Sequence, residues 1–246
     1  MVVYLTSSPT GSYRDDSPKE YEGFNPANGF LEHLKKDWKE NSRCLMICAD
    51  PESYDQNDEM GVYFQDVLQK NELTFSEFTV CDRRNGNHII LTIREYDFIL
   101  LGGGHVPTQK AFFDSIHLKY LLNRFDGMVM GISAGSMNCA EEVYALPESQ
   151  GEVKDPKYRR FIEGLGLTKA QLIPHYQAIK DDVLDDKRII EEVACLDSVG
   201  RRFILLVDGS YILCRDGEEI LYGEGYELIN GKVQKICENG QSCKIN

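Results

Sequence analysis

The sequence predicts an α/β fold: a mostly parallel, doubly wound sheet with helices on both faces and a C-terminal β-hairpin extension. Three observations carry that expectation. Short apolar runs alternate with longer segments of helical periodicity through the first two thirds of the chain. Two of the runs stop abruptly, one on three glycines and one on a serine. The last third is different in kind, being short strands separated by DG and NG turns.

Taken in order, "VVYLTS" reads as a first strand running into a loop, and "GFLEHLKKDWKE" as a helix. "RCLMICAD" is a strand. "EMGVYFQDVLQKN" is a helix with Met60, Val62, Tyr63, Val67 and Leu68 on one side. "TFSEFTVCD" and "DFILLGGG" are strands, "TQKAFFDSIHLKYLLNRF" a helix, "GMVMGIS" a strand, and "AGSMNCAEEV" the start of another helix. "AQLIPHYQ" holds a short apolar run, read as a strand end. "FILLVDGSYILCRDGEEILYGEGYELINGKVQKI" is a series of strands added to the sheet edge or forming a small extension. No repeat or Pro/Gly/Ser-rich linker divides the chain, so residues 1–246 are expected to form a single domain.

Composition narrows the function classes. The 246 residues suffice for a sizeable core. The net charge of −13 would repel phosphate backbones and anionic headgroups, so neither nucleic acid nor membrane is an expected partner. The N-terminus has no basic region followed by an apolar core, and no window approaches the ~18 apolar residues of a membrane span. A cytoplasmic protein is the expectation. The eight cysteines are scattered without a CxxC and read as reduced thiols. Cys44 and Cys48 share a strand face, which points to core packing rather than metal ligation.

The chemistry centres on "GISAG", residues 131–135, a G-x-S-x-G between a strand and a helix. A tight strand-to-helix turn strains the serine backbone, admits only small residues two positions away, and lifts the Ser133 hydroxyl to the carboxyl edge of the sheet. The amide of Ala134 would point where an oxyanion forms. The bland alternative is a plain βα turn with Ser133 as helix cap. A serine nucleophile needs a base, and of five histidines only His175 follows it, at the end of a strand. Asp208, after the apolar run "FILLV", is a candidate to orient the imidazole, although Asp-Gly alone would be read as a hairpin turn. Glu148 is the rival acid. The order serine, histidine, acid differs from that of α/β-hydrolases, so the elbow belongs to another sheet. The glycines Gly102 to Gly104 match no nucleotide-binding pattern, and Gly103 or Gly104 is a candidate second oxyanion donor.

"LGGGHVPTQ", "GISAGS" and "LIPHYQ", in that order, resemble peptidase family S51, which contains dipeptidase E and cyanophycinase. The resemblance spans roughly residues 95 to 215. It implies a sheet related to class I glutamine amidotransferases and a cofactor-free, metal-free serine peptidase with Ser133 as nucleophile and His175 as base. "LVDGS" matches a family segment that offers a carboxylate to the histidine, favouring Asp208 over Glu148. Alongside the glycines, His105, Gln109 and Gln177 are candidate substrate-binding residues. The expected partner is a small peptide, and a homodimer is admitted.

Departures from the family pattern bear on specificity. His105 stands where the family often has asparagine. Asp185 falls where aspartate-specific dipeptidases carry the arginine that binds the substrate carboxylate, leaving Lys180, Lys187 and Arg188 as alternative anchors. Specificity for aspartyl peptides is therefore not expected, and an acidic rim would favour a basic side chain or a free amino terminus. Two other readings stand beside the peptidase. A glutamine amidotransferase would want cysteine at the elbow and glutamate two residues after the histidine, where this chain has Ser133 and Gln177. A catalytically silent binding module would keep the elbow as a turn.

Overall fold

The computed structural model describes residues 1–14, 17–20 and 23–246, with backbone alone for 12–14 and 17–20. Five parallel strands form the heart of the larger sheet, in the order Val2–Thr6, Met128–Ile132, Phe98–Leu101, Ser42–Ile47, Phe75–Cys81. Three antiparallel strands extend it beyond Val2–Thr6: Tyr211–Arg215, Glu218–Tyr222 and Ser242–Lys244. The inner strands Val2–Thr6, Met128–Ile132, Phe98–Leu101 and Ser42–Ile47 are mostly apolar because both faces are covered. Tyr4, Met46, Leu100 and Met130 face one core, under the helices Phe30–Asp37 and Tyr54–Lys70. Leu5, Ile47, Leu101 and Val129 face the other, under Val106–Ser115 and Leu118–Leu122. The doubly wound architecture is thus as predicted.

A second sheet has four strands. Gln171–Ile173 runs parallel to Arg202–Leu206, followed by the antiparallel Gly225–Ile229 and Lys232–Cys237. The C-terminal extension is therefore not one appendage on the main sheet. Its hairpins divide between the sheets. One turns on Asp216-Gly217 (φ 51° and 80°) in the large sheet, the other on Asn230-Gly231 (φ 49° and 76°) in the small one. Positive φ at both central residues suits the right-handed twist of the flanking strands, which is why DG and NG occupy these turns. Asp208-Gly209 is no hairpin: it carries the chain from Arg202–Leu206 in one sheet to Tyr211–Arg215 in the other.

Four expectations are corrected. The helix at Tyr54–Lys70 buries Asn57, Gly61, Phe64, Val67 and Leu68, while Met60, Val62 and Tyr63 are exposed. Gly61 sets this face: a Cβ there would lie 2.4 Å from Val80 Cγ2, so the helix rests on the sheet through its glycine. The long helix after the glycines breaks at His117 (φ 54°) into two. The elbow helix is only Ala134–Asn138, after which the chain extends into Glu142–Tyr144. The segment read as a loop after the first strand pairs as a ribbon, Gly11–Arg14 with Ser17–Glu20, its turn lying outside the described residues. Cys44 and Cys48 sit together in one core, free of disulfide, and burial pushes each thiol up to about 12. Among the described residues no helix is long and apolar enough to cross a membrane.

Candidate active site

The elbow follows from close packing around one serine. Ser133 has φ 49° and ψ −111°, a conformation that costs a non-glycine residue about 1–3 kcal/mol. The surroundings over-determine it. The Ser133 amide donates to Thr6 O at 3.0 Å, Met137 N donates to Ser133 O at 3.0 Å, and Ser136 Oγ donates to Thr6 O at 2.8 Å. A Cβ on Gly131 would lie 2.6 Å from Ser136 N, and one on Gly135 would lie 2.2 Å from Leu101 O. Both positions therefore demand glycine.

The glycine turn is held against this elbow. Gln109 Nε2 donates to Gly102 O at 2.7 Å, and Asn138 Nδ2 donates to Gln109 Oε1 at 2.9 Å. A Cβ on Gly103 would lie 3.5 Å from Ser133 Cβ, so turn and elbow are in contact. The amides of Gly103, Gly104 and Ala134 have no acceptor among the described residues. A turn and a helix start that converge with unpaired N–H groups form a ready receptor for negative charge. Gln109 is fully buried and committed to this scaffold, so it is not a substrate-facing residue.

Register brings the remaining groups together. On the small sheet Ile173 pairs with Leu205, so the segments that follow these two strands, carrying His175 and Asp208, start side by side. His175 Nδ1 meets Asp208 Oδ1 at 2.7 Å, and among the described residues Nε2 has no hydrogen-bond partner. Gln177 Nε2 donates to Asp208 Oδ2 at 2.8 Å, and its Oε1 accepts from Asp208 N at 3.0 Å. Gln177 thus braces the acid rather than reaching for substrate. On the large sheet Thr6 pairs with Ile132, which sets Ser7 beside Ser133. Ser7 Oγ donates to Asp208 Oδ1 at 2.6 Å and accepts the His175 amide at 2.7 Å. This fully buried hydroxyl joins the two sheets, and sequence reasoning missed it. Its signal would have been a serine ending the strand beside the elbow strand, visible only once strand order is known.

Burial alone would raise the pKa of Asp208, but hydrogen bonds and charge from His175, with the bonds from Ser7 and Gln177, hold it below its ordinary value. Glu148 behaves in the opposite way. Enclosure by the cleft raises its pKa, against the lowering pull of His105, the Val106 amide and His175. It makes no hydrogen bond to His175; its Oε1 accepts Val106 N at 3.3 Å, and Oε2 has no hydrogen-bond partner among the described residues. His105 is engaged with Thr108 at 2.7 Å and Glu152 at 2.8 Å. It lines a neighbouring hollow, beyond Gly104, rather than the cavity at Ser133, so it too departs from its expected place.

Ser133, His175, Gly104 and Glu148 line one cavity of about 200 Å³. Among the described residues no cluster of side chains could hold a metal ion. Asp185, in place of the arginine, turns away from the cavity and accepts the amides of Gly151 (2.8 Å) and Val153 (3.1 Å). Lys187 and Arg188 pair with Glu192 and Glu191, and neither they nor Lys180 line the cavity.

A nucleophile elbow, converging free amides and a histidine–carboxylate pair are the equipment of a serine hydrolase on an α/β sheet. The model of peptidase family S51 matches residues 22–222, and the chain belongs to this family of serine-type peptidases. Among solved structures it is similar to a proposed peptidase E of Listeria monocytogenes EGD-e, with a TM-score of 0.56 and 13% identity over 96% of this chain and 98% of that one. At that identity the likeness speaks for the fold. No curated protein matches the chain.

Proposed function

We propose that this peptidase hydrolyses short peptides of dipeptide size through Ser133, His175 and Asp208. Ser133 Oγ attacks the scissile carbonyl while His175 Nε2 takes its proton. The carbonyl oxygen, now negative, is held by the amides of Ala134 and of Gly103 or Gly104, each donor worth about 3–4 kcal/mol in the transition state. His175 returns the proton to the leaving amine, and an acyl-enzyme ester remains on Ser133. Water then attacks the ester, giving its proton to His175, and the acid product leaves as Ser133 regains its hydrogen. Asp208 keeps the imidazole in the tautomer with Nδ1–H and stabilises the imidazolium. Ser7 and Gln177 keep Asp208 in line.

The observation that carries this reading is the strained Ser133 facing the same small cavity as a histidine whose Nδ1 is taken by a half-buried carboxylate. Asp208 is preferred to Glu148 as the acid because it alone of the two bonds His175. The restricted cavity supports short substrates. The test is labelling with a fluorophosphonate probe. Stoichiometric modification of Ser133, abolished in His175→Ala, is the expected result, together with loss of essentially all peptide turnover in Ser133→Ala. Retained turnover in Ser133→Ala would sink the assignment.

A further inference from the structure

The walls of the cavity beyond the nucleophile have a chemistry of their own. They are apolar, formed by Val106, Met137, Leu146, Ile179, Leu184 and Ile189. Among the described residues the charged or titratable groups lining it are His175, Glu148 and Asp182, with no lysine or arginine. Glu148 is held on a constructed loop. Asp185 caps the amides of Gly151 and Val153, and Glu152 Oε2 accepts the amides of Glu148 and Ser149, each at 2.9 Å. With Oε1 on the Val106 amide, the Glu148 carboxylate still has Oε2 to offer.

Building on the serine-hydrolase reading, we propose that the cavity takes the N-terminal residue of the peptide. Its uncharged, apolar side chain lies against the Val106–Met137–Leu146 wall, and its free α-ammonium is held by Glu148. An acidic side chain would lose its hydration on an apolar wall, beside two carboxylates and with no cation to pair with. An ammonium supplies the charge-assisted hydrogen bond that the free oxygen of Glu148 lacks. A blocked amine removes that bond and leaves a carboxylate uncompensated at the cleft.

The test compares Leu-Ala, Asp-Ala, Lys-Ala and N-acetyl-Leu-Ala as substrates of the intact protein, with products separated by chromatography. Leu-Ala should exceed both Asp-Ala and Lys-Ala in kcat/KM by about 100-fold or more, the upper range for discrimination by an apolar pocket. N-acetylation should lower kcat/KM by roughly 10- to 100-fold, as expected for loss of a charge-assisted hydrogen bond. Glu148→Gln should raise KM for Leu-Ala by roughly tenfold, leave kcat less affected, and narrow the gap between free and acetylated peptide. Preference for Asp-Ala or Lys-Ala, equal cleavage of the acetylated peptide, or a Glu148→Gln variant that keeps the wild-type gap would overturn the proposal. Fluorophosphonate labelling separates the two levels. Labelling of Ser133 with no cleavage of Leu-Ala overturns the specificity and leaves the hydrolase reading standing, whereas absence of both labelling and cleavage overturns both.

Discussion

Replacing Ser7 by alanine deletes a single oxygen at the junction of the two sheets. That oxygen donates to Asp208 Oδ1 at 2.6 Å and receives the His175 amide at 2.7 Å, within a fully buried residue. A hydrogen bond to an ionised group is worth about 1.5–3 kcal/mol, and an orphaned buried N–H costs about 1–3 kcal/mol. Asp208 keeps its bonds from His175 and Gln177, so the acid is loosened and not released. Unfolding free energy in urea should fall by about 2–4 kcal/mol, short of the full sum because relaxation recovers part of it. The imidazole loses its anchor at the backbone and its carboxylate loses one of its supports. For that displacement kcat should fall roughly 10- to 100-fold, or about 1.4–2.7 kcal/mol of activation free energy, with KM nearly constant. The rate of fluorophosphonate labelling of Ser133 should fall in parallel, since it reads nucleophile activation without peptide binding. A variant that loses stability but keeps the wild-type kcat and labelling rate would refute the reasoning and reduce Ser7 to a structural tie.

Other outcomes follow from the same geometry. Gly135→Ala should lower stability by roughly 3 kcal/mol or more, because its Cβ would lie 2.2 Å from the backbone oxygen of Leu101. Gly102→Ala, with the nearest atom at 3.5 Å, should stay within about 1 kcal/mol of wild type. Calorimetry of the pair checks the argument, and equal melting temperatures would contradict it. Gln109→Leu takes from Gly102 O its side-chain donor and from Asn138 Nδ2 one of two acceptors, Val106 O at 3.2 Å remaining, so it should destabilise by about 1–3 kcal/mol and depress kcat. A pure KM effect would return Gln109 to substrate binding. Asp208 has a folded-state pKa below its ordinary value of 3.8. The stability contributed by its charge is therefore fully present above 3.8 and lost as pH falls through the folded value. The melting-temperature gap between wild type and Asp208→Asn should be wide at neutral pH and close in acid; a constant gap across that range would count against a carboxylate stabilised in its charged form by its neighbours.

Much of this protein was legible in one dimension because the relevant physics is local. Buried parallel strands must be apolar, so "RCLMICAD", "DFILLG" and "GMVMGI" stand out. The elbow announces itself because only glycine fits two positions to either side of Ser133, at Gly131 and Gly135. DG and NG mark two-residue turns because both central residues need positive φ. The face of the helix Tyr54–Lys70 was not legible. Its apolar residues occur on more than one side, and the close approach of Gly61 to Val80 decided which side is buried. Gln109 and Gln177 looked like substrate ligands because a polar residue near a motif gives no sign of whether it faces the cleft or the scaffold behind it.

The sequence by itself determined the α/β sheet, the strained serine at its carboxyl edge and the short list of groups able to assist it, since strand apolarity, turn stereochemistry and residue type are properties of neighbours along the chain. Only the tertiary structure decided which acid meets His175, because Asp208 reaches it through the pairing of Gln171–Ile173 with Arg202–Leu206. The same holds for Ser7, brought to the site from 168 residues before His175 by the register of Val2–Thr6 against the elbow strand. Strand order and register arise from packing across the whole molecule, and no local pattern encodes them.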